Sequence, residues 1–426
     1  MQPALKRHSP EARTHMDAMI NSNRLWDHLM ELGKIGLAEG GGTTRFAFTD
    51  GDTQARDLVR RYMLDAGLAV REDAVGNLFG RLEGKNADSP IVMTGSHLDT
   101  VVSGGMFDGM LGVLSGIEAL HTMNENGIVP NAPIEVCAFR DEEGARFSFS
   151  MSGSRAIAGT LTEEDLQHKD KDGKTMFDVM RERGYHPENF RDAAWEKGRI
   201  KAFVELHIEQ GKVLESRNLA VGVVTGIYSS LWMRLKITGA PDHAGGAPMH
   251  LRKDALVAAS KVILHVSECA AKTGTGVGTV GQISVSPGMI NTVPGEVTFT
   301  VDLRDINPQT AENMERDVLA YAQNVCADSG LTLAPVELIN KMPPTLCDEG
   351  LMKVVENAFA KQNQPVFRLP SGAWHDAMRM ASIAPMAMIF VRCKNGVSHR
   401  PDEWASQEDC ETAANVLLQT LMDAAE

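Results

Sequence analysis

Short apolar runs bounded by glycine and proline alternate along this chain with longer segments of three-and-four apolar spacing. Residues 17–36 and Asp52 to Ala66 carry the helical period, the second stopped by Gly67. Leu68 to Leu82 alternates as a hairpin, with Gly76-Asn77 at its turn. Pro90 to Gly95 then predicts a buried strand, 109–125 a helix, and Ile134 to Phe139 a second strand. That succession is the βαβ signature of a mostly parallel sheet, in which ligands gather beyond the carboxyl ends of the strands. The run from Lys201 reads as a further strand ending in His207, followed by a short helix-prone piece to Gly211.

Near residue 212 the pattern changes. From Ser229 it reads strand (Trp232 to Ile237), helix (Ala255 to Thr273), two strands (Gly276 to Val285, Val297 to Leu303), helix (Gln309 to Ala327) and strand (Leu331 to Leu338). This β-α-β-β-α-β order predicts a ferredoxin-like α+β domain. It is inserted, because helix 348–362, strand Val366 to Leu369, strand Pro385 to Val391 and a long helix from Gln407 return to the first sheet. The expected fold class is α/β with a central mixed sheet: domain one in two parts, 1–212 and 331–426, and the insert at 213–330. A chain of 426 residues is long enough for two cores.

Composition narrows the function. The formal charge of −14 argues against a nucleic-acid surface. Lys6, Arg7 and His8 have no apolar run behind them, so no signal peptide is expected, and no stretch is apolar enough to span a membrane. Six scattered cysteines fit reduced thiols in a cytoplasmic protein. Any metal would be held by histidine and carboxylate.

Such groups collect at the predicted strand ends. His97 follows the strand of Pro90 to Gly95, and Asp99, two residues on, is placed to orient its imidazole. Taken alone, Asp108 reads as the N-cap of the helix after it and His97 as an ordinary histidine. Glu142 and Glu143 follow Phe139, where one carboxylate can ligate while its neighbour takes a proton from bound water. His207 ends another strand, and His399 sits in a loop ahead of Pro401. Three histidines with Asp108 and the glutamate pair at one sheet edge suit zinc, manganese, cobalt or nickel. Five ligands exceed the needs of one catalytic zinc, and a bridging Asp108 would let them hold two ions about 3.5 to 4 Å apart.

The ordered motifs GSHLDTV, GGMFDG, DEEGARF, ELHIEQG, DHAGGAPM, NTVPGEV, SGAWHD and GVSHRP resemble the hydantoinase/carbamoylase group of binuclear metalloamidases, from about residue 20 to the C-terminus. The resemblance is greatest to N-carbamoyl-L-amino acid hydrolases, with allantoate amidohydrolases as relatives. It implies a metallopeptidase-like catalytic domain with a lid and dimerisation insert. It implies His97, Asp108, Glu143, His207 and His399 as ligands of two divalent ions, Asp108 bridging, and Asp99 behind His97. Glu142 is implied as general base to metal-activated water. Gln210, His243, Asn291 and Arg304 hold a small-molecule substrate, Arg304 through its carboxylate, and Gly372, Ala373 and His375 line the site. A homodimer is implied through the insert, with His243 reaching the partner's site and assisting catalysis there.

From the residues alone, Arg304 is also readable as a surface arginine paired with Asp302 or Asp305, and Asn291 as a turn residue. Trp374 stands where the group usually has a small residue, and Ala247 where threonine is common. Allantoate, another ureido acid or an N-acyl amino acid are the competing substrates. A non-catalytic binding protein is the competing class.

Overall fold

A computed structural model describes residues 18–426. The start of the predicted helix at 17 and the basic residues 6–8 lie outside the described residues. The chain divides into two compact units. One comprises the chain up to Val223 with Asp348–Arg368 and His375–Glu426; the other is Val224–Cys347 with Leu369–Trp374.

The first unit is built on a mixed sheet, in agreement with the α/β expectation. β1 (Ala69–Glu72) and β2 (Leu78–Leu82) form the predicted hairpin, closed by Asp73, whose side chain accepts the Val75 and Asn77 N–H groups. β3 (Ile91–His97) lies parallel to β4 (Ile134–Phe139) and to β5 (Ile200–Ile208), and β2 is antiparallel to β4. The strand Met386–Val391 runs parallel to β5, and Val221–Ile227 lies beyond it, where the chain passes into the second unit. β3 and β4 are buried at every position, as strands covered on both faces must be. The helices Met110–Glu125 and Gln407–Ala425 pack on this sheet and on each other, and both are buried over most of their length.

Residues 140–199 form short helices rather than further sheet. Phe147, Leu166, Met176, Val179 and Phe190 close a small core of their own with Phe48. Periodicity over so few turns is too short to read from sequence.

In the second unit, Glu296–Arg304 pairs antiparallel with Ser230–Thr238 over eight residues, flanked by Ile283–Ser286 and Glu337–Met342. Burial alternates strictly along Glu296–Arg304. Val297, Phe299, Val301 and Leu303 face the helices Ala255–Thr273 and Pro308–Asp328, while Thr300, Asp302 and Arg304 take the opposite face. Both helices start on side-chain caps, Asp254 and Asn307.

Candidate metal centre

His97 is the last residue of β3, and His207 is the penultimate residue of the adjacent parallel β5. Their Nε2 atoms lie 3.4 and 3.1 Å from the same oxygen, Oδ1 of Asp108. The other oxygen, Oδ2, is 3.4 Å from His399 Nε2, which is itself 3.4 Å from Glu143 Oε1. Glu142 Oε2 stands 3.8 Å from His97 Nε2. One carboxylate therefore shares its two oxygens between two sets of donors. His97, Asp108 and His207 form one group, and Asp108, Glu143 and His399 another, each with its ligand atoms within 4.8 Å of one another.

Backbone chemistry fixes the imidazole tautomers. Nδ1 of His97 is 2.9 Å from the Asp99 carbonyl oxygen, and Nδ1 of His207 is 2.9 Å from the carbonyl oxygen of Ile208. A carbonyl only accepts, so each Nδ1 carries the proton, and in the neutral ring each Nε2 presents a lone pair to Asp108. A carboxylate cannot answer a lone pair. His207 Nε2 is fully buried and forms no well-aligned hydrogen bond. This donor set fits divalent cations, which would satisfy both sides at once. Without them the burden falls on protons. Although burial favours its neutral form, His97 is raised well above the ordinary histidine range by Asp108, Glu142 and Asp99. His399, hydrogen-bonded to Asp108 and Glu143, is pushed up to about 10. Burial pushes the Glu142 carboxyl well above its usual range, with Glu143 adding to the shift and His97 opposing it.

The loops that deliver these groups are strained. Asp141, Gln210 and His399 all have positive φ (55°, 54° and 58°), which non-glycine residues rarely adopt away from functional sites. Gly109, at φ 71°, lies so close to His97 that a Cβ there would sit 2.5–2.6 Å from three ring atoms.

Asp108 is not a helix cap. The N-cap of Met110–Glu125 is Gly109, without a side-chain cap bond. The carboxylate instead accepts from Gln210 Nε2 at 2.7 Å and Ser398 Oγ at 2.6 Å. Asp99 also differs from expectation in detail. Its carbonyl rather than its carboxylate meets His97, the nearer carboxylate oxygen being 3.9 Å away. The carboxylate accepts the N–H groups of Glu142 and Glu143 at 3.2 and 3.0 Å, so it holds the acidic loop. His375, buried and with its pKa driven well down by burial and by His207, meets the His207 ring edge-on at 4.4 Å.

Three residues at the centre had no assigned role. Glu403 Oε1 accepts the N–H groups of Phe107 and Asp108, and its Oε2 accepts from Ser398 Oγ, which clamps the Asp108 segment. Burial and the neighbouring Asp108 push Glu403 up to about 7. Glu205 accepts from Ser96 Oγ and the Ala377 N–H beneath His207. The alternation of β5 places Glu205 and His207 on one face, a signal available in the sequence. Ser398 and Glu403 flank His399 in the chain, but nothing in their spacing marks them.

The remaining candidates belong to the second unit. His243 sits in the short hairpin Asp242–His243 and Thr292–Val293. Its Nδ1 accepts the N–H groups of Gly245 and Gly246 (3.1 and 3.0 Å), leaving Nε2–H as an exposed donor. Asn291 is exposed and its carbonyl accepts the Ala244 N–H. Arg304 is paired with Asp302 through Nε and Nη2 (3.0 and 2.8 Å), and Nη1 donates to the Gly372 carbonyl at 2.8 Å. Of five guanidinium donors, two remain uncommitted. Ser371 Oγ bridges the N–H and carbonyl of Ala373, and Trp374 stacks on Trp232 with ring centres 5.6 Å apart.

Comparison with known proteins bears on this arrangement. Residues 93–423 match the model of peptidase family M20/M25/M40. An N-carbamoyl-L-amino acid amidohydrolase of Geobacillus stearothermophilus is 48% identical over 408 residues, covering 96% of this chain and 100% of that protein. A ureidoglycolate hydrolase of Oryza sativa subsp. japonica is 37% identical, covering 93% and 84%. A crystal structure of a hydantoinase/carbamoylase family amidase from Burkholderia multivorans superposes with a TM-score of 0.91 at 38% identity, covering 96% of this chain and 98% of that one.

Proposed function

The chain belongs to peptidase family M20/M25/M40 and, within it, to the hydantoinase/carbamoylase amidases, and from that premise we propose that it hydrolyses N-carbamoyl-L-amino acids. The products are the free L-amino acid and carbamic acid, which breaks down to CO2 and ammonia. The observation that carries this reading is the division of the Asp108 carboxylate between His97 and His207 on one oxygen and His399 on the other.

Two divalent ions per subunit, drawn from zinc, manganese, cobalt or nickel according to supply, would be held by His97, Asp108 and His207 and by Asp108, Glu143 and His399. When bound, they supply Lewis acidity to the carbamoyl oxygen and acidity to water. Glu142, whose carboxyl is buried and proton-avid, takes the proton of the water that attacks the carbamoyl carbon and delivers it to the departing nitrogen. Asp99 positions Glu142 through the backbone. Gln210 orients Asp108 and contacts substrate, and His375 lines the site. In the second unit, the Nε2–H of His243 suits a developing oxyanion, and the two uncommitted donors of Arg304 suit a substrate carboxylate. Asn291, Gly372 and Ala373 complete the substrate contacts. The unit serves as lid and as the contact of a homodimer, in which His243 reaches the partner's site.

Among the described residues no helix is long and apolar enough to cross a membrane, and the six cysteines are buried and none forms a disulfide. The absence of disulfides supports a cytoplasmic location.

The likeness to a ureidoglycolate hydrolase supports a second reading, in which the same machinery cleaves allantoate or another ureido acid. Turnover of N-carbamoyl-L-methionine against allantoate separates them. Activity confined to allantoate would reject the carbamoylase assignment.

A further inference from the structure

The two helices of the second unit carry a second convergence of ligand-type side chains. His265 and Cys269 lie four residues apart on Ala255–Thr273, so they project one above the other from a single face. Asp317 and Tyr321 repeat that spacing on Pro308–Asp328. Across the seam, His265 Nε2 is 3.0 Å from Asp317 Oδ2, and the Cys269 thiol is hydrogen-bonded to the same carboxylate. The His265 ring stacks on Tyr321, with centres 3.9 Å apart and planes within 10° of parallel. Ligand atoms of all three residues lie within 4.8 Å of one another.

We infer that His265, Cys269 and Asp317 form a further metal site, one that takes a zinc-like divalent cation between the two helices. The ligands grade from dry to wet: Cys269 is 6% exposed, the His265 side chain 13% and that of Asp317 57%. An ion can therefore enter from solvent beside Asp317 and meet sulfur and nitrogen set into the edge of the core. Sulfur, nitrogen and one carboxylate oxygen select zinc or cadmium over magnesium or calcium, and the exposed side leaves a fourth position for water. The imidazole is already held by its stacking on Tyr321, so little side-chain freedom remains to be lost on binding.

Proton accounting is simple. In the metal-free seam, an S–H and a ring N–H both point at Asp317, and burial with this carboxylate pushes the Cys269 thiol up to about 11. The thiol is thus a poor nucleophile at neutral pH. Binding displaces the thiol proton to solvent and forms the metal–sulfur bond. The imidazole binds through Nε2, now facing Asp317, and its single proton moves from that nitrogen to Nδ1.

The ligands proposed for catalysis contain no sulfur, and among the described residues Cys269 is the only cysteine in any potential ligand group. A thiolate-to-metal charge-transfer band therefore reports on this seam alone. Protein stripped with chelator and titrated with Cd2+ is expected to develop that ultraviolet band, with a final amplitude of one thiolate-bound cadmium per chain. Cys269→Ala loses the band and one equivalent of bound cadmium, yet keeps its hydrolytic turnover when reloaded with a catalytic metal. Asp317→Asn, a change at an exposed position, keeps the band but moves its titration midpoint to higher Cd2+. Cadmium uptake by the unaltered protein without the band, or an undiminished band in Cys269→Ala, overturns the site.

Discussion

Gly109→Ala is the most searching single substitution at the proposed metal centre. The added methyl carbon would stand 2.5 Å from His97 Cε1 and 2.6 Å from both Cγ and Cδ2, directly over the ring face. Carbon atoms rest at about 3.5–4.0 Å, so the ring or the loop must yield by roughly 1 Å. The ring has little room, because it is buried and its Nδ1 is tied to the Asp99 carbonyl. A positive φ adds about 1–2 kcal/mol for alanine, and overpacking a filled core adds about 1–3 kcal/mol. The sum is a loss of about 2–5 kcal/mol in urea unfolding, with metal affinity falling as His97 leaves Asp108. Gly127→Ala is the control. Its φ is 65° and nothing lies within 4 Å of the added carbon, so it should show the backbone cost alone and full metal content. If Gly109→Ala matched Gly127→Ala in stability and metal content, the close packing of His97 on the helix start would be refuted.

Glu142→Gln should retain metal and substrate binding while kcat falls about 10²- to 10⁴-fold; turnover close to the unaltered enzyme would remove Glu142 from proton transfer. Asp52 is buried between Arg56 and Arg140 and also accepts the Phe48 N–H. Burial acts to raise its pKa, but the two arginines and these hydrogen bonds win and hold it below the ordinary carboxylate value. Its contribution is therefore complete above about pH 4 and lost as pH falls through the depressed folded-state pKa. Asp52→Asn is expected to cost about 3–5 kcal/mol at pH 7 by urea titration, and the gap to the parent should shrink below pH 4. Arg304→Lys should raise KM for N-carbamoyl-L-methionine far more than it lowers kcat, because an ammonium cannot keep Asp302, Gly372 and a carboxylate in one plane; an unchanged KM would return Arg304 to a purely structural pairing.

Much of the first unit was legible because its strands are buried on both faces, and such runs stand out between glycine and proline. His97, His207 and the glutamate pair could be placed at strand ends by the same pattern. Their convergence could not, since sequence spacing does not say which strands are neighbours; the parallel pairing of β3 with β5 does. Asp108 was ambiguous for a physical reason. A carboxylate just before a helix has free amides within reach, and only the positive φ of Gly109 turns it away toward Gln210 and Ser398. Glu403 was illegible: its role depends on accepting two backbone N–H groups almost three hundred residues earlier in the chain. Arg304 kept both of its readings. It pairs with Asp302, as a surface arginine would, and still has donors to offer.

The tautomer of the two strand-end histidines follows from where a strand stops. Inside a parallel sheet every carbonyl is committed to a neighbour, but at the carboxyl edge the last carbonyls are released. The carbonyls of Asp99 and Ile208 lie at that edge, and each accepts a hydrogen bond from the Nδ1–H of a histidine within two residues of it. Both imidazoles are thereby turned so that Nε2 faces outward from the sheet, onto one oxygen of Asp108. No carboxylate is needed to set the tautomer, which frees the Asp99 side chain to hold the Glu142–Glu143 backbone. The sheet edge thus does for the imidazoles what an acidic partner does elsewhere, and the acids can be concentrated on the opposite side of the site. A cluster in which lone pairs and carboxylates face one another, with its protons already assigned to the backbone, has a cation as its natural complement.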